Sequence, residues 1–279
     1  MSGYYGRPVL KAPAWRWPIP AYFFTGGLAA SSSTLAYAAR RTGRHRLART
    51  ALATSSAAVA ASAAFLIEDL GRPARFLNML RVAKVTSPMS VGTWLLTAFG
   101  AATTAATVSD LTGRLPSLGR GAEPVAAVLG PTIATYTAVL VADTAVPAWH
   151  DAYRELPFVF AASAAASGGA AATLLAPWAE SASARTLAGA GAAAELAATA
   201  VMERRLGPTT GSPYHHGRAA ALGRAAKALT ATGAALVATG DRPALARTGA
   251  AAILGGALLT RFSVFEAGVS SAAGGATQG

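Results

Sequence analysis

The chain has 279 residues, 53% hydrophobic and only 13% charged, with 24 Lys+Arg against 12 Asp+Glu and no Cys. This excludes a disordered polar chain, which would be poor in apolar residues and rich in charge, and it excludes disulfide scaffolds, zinc–thiolate sites, iron–sulfur proteins and thiol enzymes, which need cysteine. An ordinary soluble domain carries about a quarter charged residues, so the composition points to a membrane.

Uncharged stretches at 17–39, 50–67, 85–109, 124–142 and 156–179 each come close to the roughly 20 helical residues that cross a bilayer core. In chain order, Trp15, Trp17, Pro18 and Pro20 cluster at the start of the first span, 19–39, and read as an interfacial anchor, with Pro20 near the first turn of the helix. The apolar run is too long for a signal-peptide h-region, and no twin-arginine leader is present, so insertion through the spans themselves is expected. An arginine-rich turn with His45 on its surface leads to the second span, 48–70, which ends in Glu68-Asp69. Residues 71–87 alternate Phe76, Leu77, Leu80 and Val82 with Arg72, Arg75, Arg81 and Lys84, predicting a short amphipathic helix at the interface. The third span is 88–110, with Asp110 at its end. The fourth, 122–146, is interrupted by Gly130-Pro131 and carries Tyr136 and Asp143. His150 follows Trp149 in the next connector. The fifth span is 157–178. The sixth, 183–203, contains Glu195. His215 and His216 in the following loop are weak metal candidates, and no metal site is expected. The seventh is 219–240, with Arg224 and Lys227 in its first half. The eighth, 248–269, carries Arg261 and Glu266, and the tail from Ser270 reads as frayed. The expectation is an all-α, polytopic integral membrane bundle of about eight transmembrane helices in one domain, 1–279. A soluble Ala-rich bundle is the alternative, because Ala is the best helix former. Soluble helices need a charged outer face, however, whereas here the polar atoms are Ser, Thr and Gly, which allow close helix packing in lipid.

An even number of spans puts both termini on one face, side A. Thirteen basic residues, Arg7 and Lys11 among them, fall on side A and ten on side B. That gives no positive-inside bias, so the orientation of this multi-pass cell-membrane protein stays open. Basic residues split between two faces suit anionic lipid headgroups and argue against nucleic acid.

Ionisable groups at membrane depth usually face a bundle interior or an aqueous path, and here they gather toward side A. Glu195 and Arg261 fall at matching depth, which predicts an ion pair, structural or functional. Successive helical residues diverge by about 100°, so only one of Glu68 and Asp69 points inward. Glu68 is expected to face the chamber and Asp69 to pair with Arg72 or Arg75. Asp143 either carries protons or meets the interface at its helix end, and His150 either bonds locally or handles protons. No His lies within a span, so a b-type haem has no axial ligands there.

Several runs taken together resemble the NrfD / polysulphide-reductase membrane-subunit family over nearly the whole chain. They are Trp17-Pro18-Ile19-Pro20-Ala21-Tyr22-Phe23-Phe24-Thr25-Gly26-Gly27, Glu68-Asp69-Leu70-Gly71-Arg72-Pro73-Ala74-Arg75-Phe76, Thr86-Ser87-Pro88-Met89-Ser90-Val91-Gly92, Tyr136-Thr137, Val146-Pro147-Ala148-Trp149-His150 and Arg261-Phe262-Ser263-Val264-Phe265-Glu266. The resemblance implies a cofactor-free membrane subunit that anchors a ferredoxin-like 4Fe-4S subunit. That partner contacts a catalytic subunit, often a molybdopterin enzyme, and electrons are exchanged with menaquinone or ubiquinone near the partner's face. It implies Tyr136 as a quinone-holding residue, with Tyr22 and Glu68 beside it. Glu68, Asp143, His150 and Glu195 are the candidates for proton transfer, and Arg72, Arg75 and Arg81 for partner docking. Some family members carry a histidine in the first span, where this chain has none. The Asp-Leu-Gly-Arg-Pro run can also serve as a turn, with Gly71 ending the helix and Pro73 preventing its continuation. The competing readings are a secondary transporter or proton channel without a redox partner, although no second Gly-Pro break marks a repeat, and a purely structural anchor.

Overall fold

The computed structural model describes residues 13–72, 74–239 and 242–274, and among these the chain is helical with no strand. Arg7, Lys11, Pro73 and the end of the tail, 275–279, lie outside the described residues. The helices are α1 (Pro18–Arg41), α2 (His45–Leu70), the short α3 (Ala74–Leu80), α4 (Pro88–Thr112), α5 (Pro116–Ala142), the one-turn α6 (Pro147–His150), α7 (Leu156–Leu175), α8 (Ala182–Thr210), the one-turn α9 (Ser212–His215), α10 (Gly217–Val237) and α11 (Pro243–Gly274). Five are long and apolar enough to cross a membrane: α2, α4, α5, α7 and α11. The chain is therefore a multi-pass membrane protein.

Local chemistry sets the helix ends. Pro occupies the first turn of α1, α4, α5 and α7, where a missing N–H costs nothing. α2 stops at Gly71, whose φ of 70° is left-handed backbone that glycine adopts without steric cost. Of the tail expected to fray from Ser270, the described part is helical, since α11 runs to Gly274. α8 runs past the expected end at 203 and kinks at Gly207 (φ 67°, ψ −172°). The expected break at Gly130-Pro131 is bridged instead. Pro131 cannot donate to Ala127 O four residues back, and Thr34 Oγ1 supplies that hydrogen bond from α1 at 3.1 Å, with Ser33 Oγ on Ala126 O at 3.2 Å. A Cβ on Gly130 would collide with the backbone of α1 at Ala30, so glycine here lets the two helices close on each other.

The eight helices of twenty or more residues form two groups of four. α1, α2, α4 and α5 make the first, and α7, α8, α10 and α11 the second, joined where α1 and α5 meet α7 and where α1 meets α11. α1 is packed by α2, α5, α7 and α11, and α7 by α1, α2, α5, α8 and α11. The main core, with Phe23, Phe99, Trp149 and Phe160 almost fully buried, fills the first group and its junction with the second. In the second group backbones approach through glycine, Gly191 against Ala166 and Gly233 against Gly249.

Candidate functional site

At the side A end of the first group, the start of α1, the end of α2, the start of α4 and the end of α5 leave a pocket of about 70 Å³. Tyr22 and Tyr136 line it, buried to 6% and 9% exposure. Trp15 and Asp69 stand at the rim, and Met79 of α3 closes over it. The Tyr136 hydroxyl donates to Pro88 O. Its ring lies where a Cβ of Gly92 would be, so the start of α4 fixes the phenol carried by α5. The Tyr22 hydroxyl makes no hydrogen bond among the described residues, while its carbonyl accepts from Thr25 and Ser62. One phenol is therefore committed and the other is free to bind.

The structure reverses the expected roles of the two acids on α2. Asp69 lines the pocket, and its Oδ1 accepts from the Arg16 backbone N–H at 3.0 Å, with the Arg16 Nε at 4.0 Å. Glu68 is exposed. Asp69 pairs with neither Arg72 nor Arg75; Arg75 Nη1 instead caps the α2 carbonyl of Leu70 at 3.0 Å. A sequence signal for this existed. Ser55, Ser62 and Asp69 recur every seven residues, two turns of helix, and both serines are fully buried. The inward stripe of α2 therefore runs to Asp69 and leaves Glu68 outside.

Asp143 and His150 are both exposed at the same end of the molecule. Asp143 ends α5, and His150 Nδ1 lies 3.2 Å from Ala142 O. Beside His150, Trp149 is fully buried, donates from Nε1 to Val264 O at 2.7 Å, and stacks on Trp15 with centroids 5.6 Å apart. Arg72, Arg75 and Arg81 are exposed on and beside α3.

Glu195 and Arg261 lie elsewhere, in the second group, both 2% exposed. They form no salt bridge within 4.0 Å among the described residues, contrary to the expected pair. Arg261 Nη2 donates to Phe160 O at 2.9 Å, and its guanidinium carbon sits 3.7 Å over the Phe160 ring. A carbonyl and a π-face thus partly compensate a buried cation, while its Nε and Nη1 make no hydrogen bond. Neither carboxylate oxygen of Glu195 makes a hydrogen bond. Its polar neighbours are Thr260, Arg261 and Ser163. It lines a cavity of about 20 Å³, together with Thr230, Tyr214 and the Glu203–Lys227 ion pair, whose Nζ–Oε2 distance is 2.9 Å. In the connector above, the Tyr214 hydroxyl donates to Ala148 O at 3.3 Å, and burial pushes its phenol pKa up. Sequence reasoning missed the partners Glu203 and Lys227, because they sit on different helices. Among the described residues no cluster of three or more metal-ligating side chains occurs.

The family described as polysulphide reductase, NrfD, matches residues 10–203 of the chain. That span covers the first four-helix group and the tyrosine pocket entirely, then α7 and most of α8. No curated protein matches the chain.

Proposed function

The chain belongs to the polysulphide reductase NrfD family, and from that premise we propose that it is the quinone-reactive membrane subunit of a respiratory oxidoreductase complex in the cell membrane. The observation that carries this reading is the convergence of a free phenol, a fixed phenol and a rim carboxylate in one apolar pocket, beneath an exposed basic helix. All eight helices of twenty or more residues cross the bilayer in this reading, since even α7, with 20, spans about 30 Å. Those outside the apolar five have a physical reason for polarity: α1 is enclosed by other helices, and α8 and α10 neutralise Glu203 and Lys227 against each other.

A menaquinone or ubiquinone ring enters between the tyrosines. Tyr22 donates its free O–H to a carbonyl oxygen, and Tyr136, whose proton is given to Pro88 O, offers a lone pair to a quinol O–H. Two electrons arrive from a ferredoxin-like 4Fe-4S partner docked on Arg72, Arg75 and Arg81, itself fed by a catalytic subunit such as a molybdopterin enzyme. Two protons become the quinol hydroxyls. Asp69 passes them from the rim, with Asp143 and His150 exchanging them with water at the same end. Glu195 holds a proton deeper in the second group. Its unpartnered carboxylate also favours a second reading, a proton channel acting without a redox partner.

The test is purification in mild detergent with mass spectrometry of the partners, followed by titration with a quinone while Trp15 fluorescence is monitored. An iron–sulfur subunit with four-Cys runs and quenching that weakens in Tyr22→Phe support the redox reading. A chain that conducts protons alone and binds no quinone overturns it.

A further inference from the structure

We infer that the groove between α2 and α4 holds the isoprenoid tail of the quinone, an inference that rests on the quinone reading of the Tyr22–Tyr136 pocket. The groove encloses about 590 Å³ on the outer face of the first group. Leu96, itself buried, lines both the groove and the tyrosine pocket. Above this junction α3 serves both spaces. Met79 lines the pocket and Phe76, one turn earlier on the same helix face, lines the groove. Pocket and groove thus lie against opposite sides of Leu96, with α3 bordering both.

The shape follows from small side chains. α2 contributes Ala63 and α4 contributes Gly100 and Ala101, so few side-chain atoms occupy the seam that larger residues would fill. From Leu96 to Val108 the groove runs about 18 Å along α4. Its lining is apolar apart from Thr97 and Thr104, which suits a flexible hydrocarbon and offers nothing to a charged group. A phospholipid acyl chain could use the outer end. The inner end is separated from the pocket of the two phenols only by Leu96, and this favours a ligand whose polar ring sits at the head of its tail.

Gly100 gives a direct handle. A Cβ there meets only Val59 Cγ1, at 4.0 Å, so a larger side chain projects into the groove without touching backbone. The full chain in nanodiscs is titrated with a long-tailed quinone and with its tailless analogue, followed by Trp15 quenching. Gly100→Leu weakens the long-tailed quinone by at least about fivefold, as loss of one to two buried methylenes predicts, and leaves the analogue unchanged. Ala101→Leu, at an exposed position of the same groove, repeats the effect without risk to folding. Equal loss for both ligands, or no loss for either, overturns the tail assignment. If a tightly held phospholipid is displaced by Gly100→Leu in native mass spectrometry with quinone binding intact, the groove belongs to an acyl chain. The underlying quinone reading fails separately, if the wild-type chain does not bind the tailless analogue at all.

Discussion

Asp69 owes its place to one backbone hydrogen bond, since the N–H of Arg16 fixes its Oδ1 at the pocket rim. Removing the carboxylate without changing its shape should therefore cost function rather than folding. Asp69→Asn is expected to lower quinone-coupled turnover about 100-fold, the usual weight of a positioned acid–base group. Glu68→Gln, at an exposed site, should stay within about twofold of wild type. Turnover of the two variants in the assembled complex checks this, and equal losses would sink the assignment of Asp69. Glu195 gives a second residue-scale expectation. Its oxygens make no hydrogen bond, and its charged neighbour Arg261 keeps Nε and Nη1 unpaired. With Glu195 holding a proton, Glu195→Gln replaces one neutral group by another, and the thermal midpoint in detergent should hold. A fall of several degrees would mean that the carboxylate is ionised and compensates the buried Arg261 charge.

Among the elements, α5 shows how a helix survives an internal proline in an apolar setting. Ala127 O would be orphaned by Pro131, and Thr34 on α1 satisfies it. Thr34→Val should destabilise the protein by about 1–3 kcal/mol, the cost of a buried unpaired acceptor. Pro131→Ala restores the N–H of the helix itself, and in that background the same Thr34→Val should cost much less. Denaturant unfolding of the two singles and the double, read as a mutant cycle, checks the coupling. Purely additive losses would show that Thr34 acts through packing alone. The same element shows the limit of local pattern. Gly130-Pro131 reads as a break because the compensating hydroxyls lie nearly a hundred residues earlier in the chain.

For the whole molecule, side B is closed by a charge network and side A holds the tyrosine pocket. Arg40 of α1 reaches Asp110 of α4 at 3.0 Å and Glu123 of α5 at 2.7 Å, and Arg49 of α2 joins Asp110 at 3.1 Å. All four helices of the first group thereby meet in one cluster. Arg40→Met leaves two partly buried carboxylates without their shared cation and should cost about 2 kcal/mol, discounted for Arg40's partial exposure. Arg49→Met, at a more exposed pair, should cost under about 1 kcal/mol. Thermal unfolding of both variants in detergent decides whether the network holds the group together.

The sequence by itself determined the helical membrane class, the family, and the end of the molecule at which Tyr22 and Tyr136 meet. These follow from composition, the spacing of charges and short contiguous motifs. Only the tertiary structure decided that Asp69 rather than Glu68 faces the pocket, that Arg261 bonds Phe160 rather than Glu195, and that the ionisable groups fall into two separate chambers. The reason is geometric. Depth along a helix is counted in residues, but rotation about its axis and the choice of neighbouring helix are fixed by packing against chains distant in sequence.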